Sequence, residues 1–342
     1  METIVLEQPG TLRATQTDDP PAPGPDEALV RVRRVGICGT DIHAFGGRQP
    51  FFSYPRILGH ELGVEVLQVG SAVTHVKAGD RCAVEPYVSC GKCYACRVGR
   101  TNCCVDMKVL GVQTDGGMRE RIVVPAKLLH PAEGVEFEAL ALVEMLGIGC
   151  HAVHRAQVQA GETAAVIGLG PIGLAAAQFA LLAGASVVGV DVSESRAATA
   201  WDVLGIDTLV LDVGEDAKDL ATQWRDKRGD LPIQVFDATG NARSMEAAFT
   251  LPEHGGNLTF ISLVLGSIAF DDPNFHRREL TLRSSRNALP GEFVEILDHL
   301  RAGRIDAKKW ITHRVDAAEV PEGFASLIRP ETGMLKGVVQ FP

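Results

Sequence analysis

Four cysteines lie close together in the first third of the chain, at a spacing suited to a single metal ion. Cys90, Cys93 and Cys96 recur every third residue, and Cys104 follows within the same stretch of fifteen. Zn²⁺ takes four thiolates in a tetrahedron, and such a closed shell leaves no position for a substrate. We therefore expect a structural zinc site. Neighbouring Cys103 is an alternative to Cys104 as the fourth ligand.

A second set of metal-binding residue types precedes and follows this group. Cys38 and His60 suit a catalytic zinc, which keeps one coordination position open. Glu61, next to His60, can bind the metal directly or support its ligands. Glu144 interrupts the apolar run at residues 139–148, where a carboxylate is costly unless it is paired or metal-bound. Glu144 is therefore the candidate third ligand, and a solvent-exposed acid at a helix end is the alternative.

A glycine-rich turn near the middle of the chain predicts a dinucleotide site. An apolar run at residues 163–167 leads into it, and a helix-like run follows to residue 182. Its glycines would permit the turn, let the backbone approach the pyrophosphate and let helix pack on strand, with phosphate at the helix N-terminus. The cofactor-binding candidates in the turn are Gly168, Gly170, Pro171, Ile172 and Gly173.

Residues at later strand ends complete the predicted cofactor site. Asp191 follows the glycine turn by about twenty residues, and it should accept hydrogen bonds from ribose hydroxyls and repel a 2′-phosphate. NAD is therefore favoured, although Arg196 is close enough to keep NADP open. Thr239 and Leu263 belong to segments at the carboxyl ends of predicted strands, and Ser285 stands where the chain leaves the sheet.

Strand-like runs should position these groups. Residues 27–35 alternate apolar and charged side chains and deliver the chain to Cys38, while residues 64–69 follow Glu61. From about residue 151 the pattern alternates strand and helix, which is typical of a doubly wound parallel sheet. Its further predicted strands are residues 187–190, 207–213, 234–238 and 258–264.

Composition excludes several classes of protein. A chain of 342 residues with 46% hydrophobic and 22% charged residues can fold as two domains. The net charge of −10 argues against a nucleic-acid partner. Residues 163–190 carry no charge, but their glycines and Pro171 would break a membrane helix, so no membrane association is expected. Eight cysteines without a secretory signal indicate a reducing, cytoplasmic location.

Together these motifs resemble the zinc-containing medium-chain dehydrogenase/reductase superfamily, which includes zinc alcohol dehydrogenases and sorbitol dehydrogenase. The resemblance runs from about Glu27 to the C-terminus. Gly59-His60-Glu61 and the stretch Ser284-Ser285-Arg286-Asn287 are most similar to polyol and sugar-acid dehydrogenases, such as those acting on L-galactonate or L-idonate. One departure concerns Met145, because relatives usually have proline after the acid that corresponds to Glu144.

The resemblance implies an α/β fold with a β-rich GroES-like catalytic domain and a Rossmann domain. It places the catalytic domain at residues 1–150 and 286–342, with the zinc lobe at about 86–108, and the NAD-binding domain at 151–285. It also implies a homodimer or homotetramer. Cys38, His60 and Glu144 would hold a catalytic zinc, with Glu61 as the alternate or supporting ligand.

The implied reaction is transfer of hydride from a secondary hydroxyl of a polyol or aldonate to NAD⁺. Thr40 would hydrogen-bond the substrate oxygen, and His43 would form the solvent end of a proton relay, a role suited to imidazole. Phe51, Phe52 and Tyr54 are candidates for the pocket wall. The alternative is a dehydrogenase of simple primary alcohols or aldehydes.

Overall fold

The computed structural model describes residues 1–49, 52–214 and 217–342. Phe51, one of the candidate pocket residues, lies outside this description. The chain forms two compact units, one made of Met1–Met145 and Leu289–Pro342 and the other of Leu146–Ala288. The first unit therefore contains both chain ends, and the second is a continuous insertion.

The strands of both units follow the chain in this order within the described residues: β1 (Glu2–Gln8), β2 (Thr11–Gln16), β3 (Glu27–Ile37), β4 (Arg56–Ile57), β5 (Glu61–Val69), β6 (Arg81–Val84), β7 (Tyr87–Val88), β8 (Lys108–Val109), β9 (Arg121–Pro125), β10 (Leu129–Pro131), β11 (Thr163–Ile167), β12 (Ser186–Asp191), β13 (Thr208–Val210), β14 (Gln234–Asp237), β15 (Asn257–Phe260), β16 (Thr281–Ser284), β17 (Ile311–Asp316) and β18 (Lys336–Gln340).

The α-helices over the same residues are α1 (Gly39–Phe45), α2 (Tyr94–Arg97), α3 (Phe137–Leu140), α4 (Val143–Ala156), α5 (Pro171–Leu182), α6 (Glu194–Leu204), α7 (Leu220–Arg228), α8 (Ala242–Ala247), α9 (Asp272–Arg277), α10 (Pro290–Arg301), α11 (Ala307–Trp310) and α12 (Val320–Leu327).

A mixed sheet with the order β10-β6-β5-β3-β18-β17 forms the centre of the first unit, and β9 pairs with β3. Strand β3 buries Ala28, Val30 and Val32 at alternate positions, as its sequence pattern predicts. The pairing is antiparallel except between β17 and β18. Strands β2-β1-β4 form a small second sheet, and β7 pairs with β8 on either side of the four cysteines in sequence. This is the β-rich GroES-like architecture.

Six parallel strands in the order β13-β12-β11-β14-β15-β16 form the sheet of the second unit. Renumbered within the unit, this order is 3-2-1-4-5-6, the doubly wound arrangement that binds dinucleotides at its carboxyl edge. Buried Ala165, Ile167, Val190, Val235 and Leu258 form part of its core. The predicted Rossmann fold is therefore confirmed.

Two strands of this sheet end three or four residues earlier than predicted. β13 stops at Val210 rather than at residue 213, and β15 stops at Phe260 rather than at residue 264. The apolar residues beyond these ends, Val213 and Leu263, are exposed, so hydrophobicity alone overestimated the strands. The charge-free run at residues 163–190 divides among β11, the glycine turn, α5 and β12. Among the described helices, none has the length and apolar character needed to cross a membrane.

Candidate catalytic and metal sites

Cys38 stands at the N-cap of α1, immediately after β3 ends. The Thr40 backbone N–H donates to Cys38 Sγ at 3.5 Å, and the Cys38 N–H donates to Asp41 Oδ2 at 2.9 Å. A helix N-terminus favours negative charge, because its first N–H groups lack partners within the helix. The fold therefore presents the Cys38 sulfur at the start of α1, next to the first backbone N–H groups of the helix.

His60 is brought beside Cys38 by a sharp turn. Its neighbour Gly59 has φ +94°, and a Cβ there would lie 2.8 Å from Val35 Cγ1. His60 Nδ1 lies 3.7 Å from Asp41 Oδ1, and both atoms are buried with no hydrogen-bond partner among the described residues. Buried polar groups normally have partners, so Asp41 is the candidate group that orients the imidazole through Nδ1.

The electrostatic surroundings of His60 favour positive charge. Burial by itself lowers the pKa of His60, but Cys38, Asp41 and Glu144 together raise that pKa well above its ordinary value. Cys38, His60 and Glu61 offer one sulfur, one nitrogen and one oxygen within 4.8 Å of one another. Because this donor set suits an open zinc site, the residues present fit a catalytic metal ion.

Glu61 has a buried cationic partner that was not predicted. Lys336 Nζ lies 2.7 Å from each carboxylate oxygen of Glu61 and 3.2 Å from the Ile37 carbonyl oxygen. Burial lowers the pKa of Lys336, but Glu61, Cys38 and Glu144 together more than offset this effect, so the pKa of Lys336 is raised. The signal that could have identified Lys336 is a single charge within the otherwise apolar run at residues 335–339.

Glu144 lies in the first turn of α4 and is buried, so it is not the solvent-exposed acid considered as the alternative. Its Oε1 accepts a hydrogen bond from the Tyr87 hydroxyl, a partner that the sequence did not suggest. Burial raises the pKa of Glu144, and Glu61 adds to this effect, whereas His60 lowers it. Glu144 is not a member of the group formed by Cys38, His60 and Glu61. It nevertheless acts electrostatically on His60.

Thr40 and His43 lie on α1, directly after the Cys38 cap. Thr40 is partly buried and His43 is exposed. Residues three apart on a helix are neighbours on one face. The helix therefore supplies a partly buried hydroxyl two residues after Cys38 and an imidazole that is exposed to solvent.

The predicted zinc lobe at about residues 86–108, called the thiol lobe from here on, brings its four predicted cysteines together. Sγ atoms of Cys90, Cys93, Cys96 and Cys104 lie within 4.8 Å of one another, whereas Cys103 is exposed. The Cys90 N–H donates to Cys104 Sγ at 3.2 Å. Backbone N–H groups of Cys96 and Val105 lower the pKa of Cys93 to about 6. All of these thiols are free, so the arrangement fits a four-thiolate zinc site with Cys104 as the fourth ligand.

The glycine turn of the second unit is closely packed at Gly173 but open at Gly170. Gly168 has φ +87°, and a Cβ on Gly173 would lie 1.8 Å from the Gly168 carbonyl oxygen. A Cβ on Gly170, by contrast, would meet no atom within 4 Å. Gly170 is the N-cap of α5, and Pro171 and Ile172 form its first turn. A phosphate group can therefore approach the backbone at Gly170.

Asp191 is the last residue of β12, and its side chain hydrogen-bonds to the backbone of the glycine turn. Its Oδ2 accepts from the Leu169 N–H at 2.8 Å and its Oδ1 from the Ser193 N–H at 3.0 Å. Arg196 lies 3.6 Å from Asp191 Oδ2 with most of its side chain exposed. The carboxylate is thus fixed in place, and its remaining lone pairs can accept hydrogen bonds from ribose hydroxyls.

The other predicted cofactor residues lie at the same edge of the sheet. Thr239 follows β14 and bonds through its N–H and hydroxyl to Asp237. Leu263 is exposed beyond β15, and Ser285 follows β16. Ser285 Oγ is buried with no hydrogen-bond partner in the described part of the chain. All of these residues lie near carboxyl ends of parallel strands, where such sheets bind ligands.

Two protein-family models match this chain. Residues 24–134 match the alcohol dehydrogenase GroES-like domain, and residues 171–302 match the zinc-binding dehydrogenase family. An L-galactonate-5-dehydrogenase of Escherichia coli K12 is 42% identical over 342 residues, covering 100% of this chain and 99% of that protein. This chain belongs to the zinc-binding alcohol dehydrogenase family. It is therefore an oxidoreductase, as the sequence predicted.

Two solved structures resemble the dehydrogenase over its length. An alcohol dehydrogenase (rspB) from E. coli CFT073, complexed with NADH, has a TM-score of 0.91 and 29% identity, covering 100% of this chain and 99% of that one. A zinc-binding dehydrogenase from Sinorhizobium meliloti, bound to NADP, has a TM-score of 0.88 and 28% identity, covering 99% of each chain. Both neighbours carry a nicotinamide dinucleotide.

Proposed function

We propose that this dehydrogenase takes hydride from a secondary hydroxyl group of a sugar acid or polyol and delivers it to NAD⁺. Cys38 and His60, whose donor atoms lie together with a Glu61 oxygen, carry this proposal, since a thiolate and an imidazole suit an open zinc site. The glycine turn at residues 168–173 supports the dinucleotide. A sugar acid is supported as the substrate class by the 42% identity to an L-galactonate-5-dehydrogenase.

Charge balance supports Cys38, His60 and Glu144 as the residues that would hold the catalytic zinc. Glu61 already has a buried ammonium partner in Lys336. Glu144 instead accepts from an uncharged hydroxyl, so its negative charge is not neutralised by that partner. One thiolate and one carboxylate would balance a divalent cation. Glu61 then supports the site from its place beside His60.

Bound zinc would act as a Lewis acid that lowers the pKa of a hydroxyl group. The Thr40 hydroxyl would hydrogen-bond the substrate oxygen and accept its proton while giving its own hydrogen onward toward His43. His43, three residues further along α1 and exposed, passes that proton to water. The chain's own contribution is therefore to orient the hydroxyl and carry its proton to the surface.

The second unit would bind the nicotinamide dinucleotide at the carboxyl edge of its sheet. Gly168, Gly170 and Gly173 cradle the pyrophosphate at the start of α5. The buried Asp191 carboxylate accepts from the adenosine ribose and disfavours a 2′-phosphate, which supports NAD over NADP. Further contacts with the cofactor are assigned to Pro171, Ile172, Arg196, Thr239, Leu263 and Ser285.

A second zinc ion would be structural. Cys90, Cys93, Cys96 and Cys104 would bind it, and it would hold together a lobe whose α2 helix contains no buried residue. The eight cysteines, four of them clustered at a spacing that suits a metal ion, support a reducing compartment, which we infer to be the cytoplasm. A homodimer or homotetramer is supported by β16, an edge strand of the sheet that exposes Leu282.

Initial rates of NAD⁺ reduction test the substrate class. L-galactonate, L-idonate and sorbitol are compared with ethanol and benzyl alcohol, each with and without a chelator. The proposal predicts the highest kcat/KM for a sugar acid or polyol, and loss of that rate on chelation. A preference for ethanol or benzyl alcohol would instead establish the alternative, a dehydrogenase of simple primary alcohols.

A further inference from the structure

Tyr87 is a buried aromatic residue with no predicted role, and it contacts the candidate third ligand directly. It lies in β7, three residues before Cys90, and is 3% exposed. Its hydroxyl donates a hydrogen bond to Glu144 Oε1. Because a carboxylate has two oxygens, a donor at Oε1 leaves Oε2 for a second partner.

The Tyr87 ring is held from its sides. It packs edge-to-face against Phe293 of α10, with the ring centroids 6.4 Å apart and an interplanar angle of 79°. Phe293 is fully buried and stacks on His130 at 4.9 Å. His130 Nε2 in turn lies 3.3 Å from Glu85 Oε2. Because Phe293 is itself held by His130, the Tyr87 ring packs against a buried neighbour while its hydroxyl bonds to Glu144.

The pairing of β7 with β8 also holds Tyr87 in place. Strand β7 pairs antiparallel with β8, and Tyr87 lies opposite Val109. These two strands enclose the segment that carries the four clustered cysteines. The backbone of Tyr87 is therefore fixed by the ladder, while its ring is fixed by Phe293.

The two buried carboxylates of the site differ in the charge of their partners. Glu61 pairs with the Lys336 ammonium group, which neutralises it. Glu144 pairs with the neutral Tyr87 hydroxyl, which fixes one oxygen but leaves the negative charge. A buried carboxylate of this kind is stabilised by a cation within reach of its other oxygen. The hydroxyl thus orients Glu144 without competing for its charge.

We propose that Tyr87 is a positioning residue for the dehydrogenase, holding Glu144 in the orientation that binds the catalytic metal. The inference rests on the proposed function, in which Glu144 is a zinc ligand. Residues that hydrogen-bond a metal ligand orient it and raise metal affinity, and their loss typically costs about 10- to 100-fold in affinity or activity. Tyr87 acts through Glu144 rather than on the substrate.

The test uses the full chain with Tyr87→Phe, which keeps the ring and removes only the hydroxyl. Tyr94→Phe is the matched control, because Tyr94 belongs to the same lobe but is 73% exposed. Zinc release to a chelator is followed over time, and the visible spectrum is recorded after cobalt replaces the more weakly held metal. Neither measurement requires substrate or turnover.

Tyr87→Phe should release the more weakly held metal about 10- to 100-fold faster than the wild type and shift the cobalt spectrum. The four-thiolate zinc and the Tyr94→Phe variant should behave as wild type. Unchanged release and an unchanged spectrum in Tyr87→Phe would overturn the proposal. A wild type that binds one metal ion only would contradict the proposed function itself, so the two failures are distinguishable.

A double variant covers the case in which Tyr87→Phe is unstable. Combining Tyr87→Phe with Glu144→Gln removes both the donor and the charged acceptor, so no buried carboxylate is left unpaired. The double variant should fold and match the metal affinity of Glu144→Gln alone. An affinity well below that of Glu144→Gln would show that Tyr87 acts by another route and would overturn the proposal.

Discussion

Lys336 reaches across strand β3 to form a buried ion pair with Glu61. The two residues belong to β18 and β5, which flank β3 in the sheet. Gly36 of β3 lies opposite Glu61, and a Cβ there would be 2.0 Å from Glu61 Oε2. The missing side chain at Gly36 therefore makes room for the ion pair. Strands β3, β5 and β18 together therefore place the Glu61 carboxylate beside the candidate metal site.

Replacing Lys336 by Met should destabilise the protein strongly. Glu61 would remain buried without a cation, and removing one partner of a buried pair costs about 3–5 kcal/mol. Urea unfolding measures the free energy of unfolding. Lys218→Met is the control, because the Lys218–Asp226 pair is exposed and should change stability little. Equal effects of the two substitutions would contradict the importance assigned to the buried pair.

Replacing Gly36 by Ala should displace the Glu61 side chain. The added methyl group would overlap Glu61 Oε2, and overpacking of a core typically costs about 1–3 kcal/mol. Thermal unfolding and zinc content provide the measurements. Gly323→Ala is the control, because nothing lies within 4 Å of that position in α12, and helix propensity favours Ala there. A stable Gly36→Ala protein with normal zinc content would show that a side chain at position 36 is compatible with the Glu61–Lys336 ion pair, which would contradict this prediction.

Replacing Cys104 by Ser should remove the structural zinc, whereas replacing Cys103 should not. Cys104 Sγ belongs to the four-sulfur group and Cys103 is exposed. Elemental analysis should find one zinc ion fewer per chain in Cys104→Ser, together with a lower Tm. Structural zinc contributes directly to folding stability, which gives the reason for the lower Tm. Loss of zinc from Cys103→Ser instead would reverse the ligand assignment.

Replacing Asp191 by Asn should weaken NADH binding and reduce the preference over NADPH. The variant loses the negative charge at the predicted ribose site. Asparagine has a single side-chain oxygen, so either the Leu169 N–H or the Ser193 N–H also loses its acceptor. We expect about a tenfold higher Kd for NADH, equivalent to about 1.4 kcal/mol. Fluorescence titration measures both affinities, with exposed Asp202→Asn as the control. Equal wild-type affinities for NADH and NADPH would contradict the role of Asp191.

Local patterns were sufficient to predict part of the candidate site and the fold. The cysteine spacing at residues 90–104 and the glycine turn at residues 168–173 bring ligand groups together within a few residues, so no long-range information is needed. The alternation of strands and helices likewise predicted the parallel sheet, which the strand pairing confirms. Short-range geometry made these features readable from the sequence.

The partners of the two carboxylates could not be predicted in the same way. Glu61 and Lys336 are 275 residues apart in sequence, and Tyr87 and Glu144 are 57 apart. Their proximity depends on strand register and on the packing of the start of α4 against strand β7. A charge within an apolar run identifies a buried group that needs a partner, but it does not say which residue supplies that partner.

Metal content of the wild type and of Cys38→Ser is the strictest test of a catalytic zinc held by Cys38. We expect two zinc ions per chain in the wild type. In Cys38→Ser we expect one zinc ion, no NAD⁺ reduction and unchanged NADH binding, because Cys38 belongs to the catalytic group alone. A wild type with a single zinc ion per chain, or a Cys38→Ser variant with near-native activity, would contradict a catalytic zinc at Cys38.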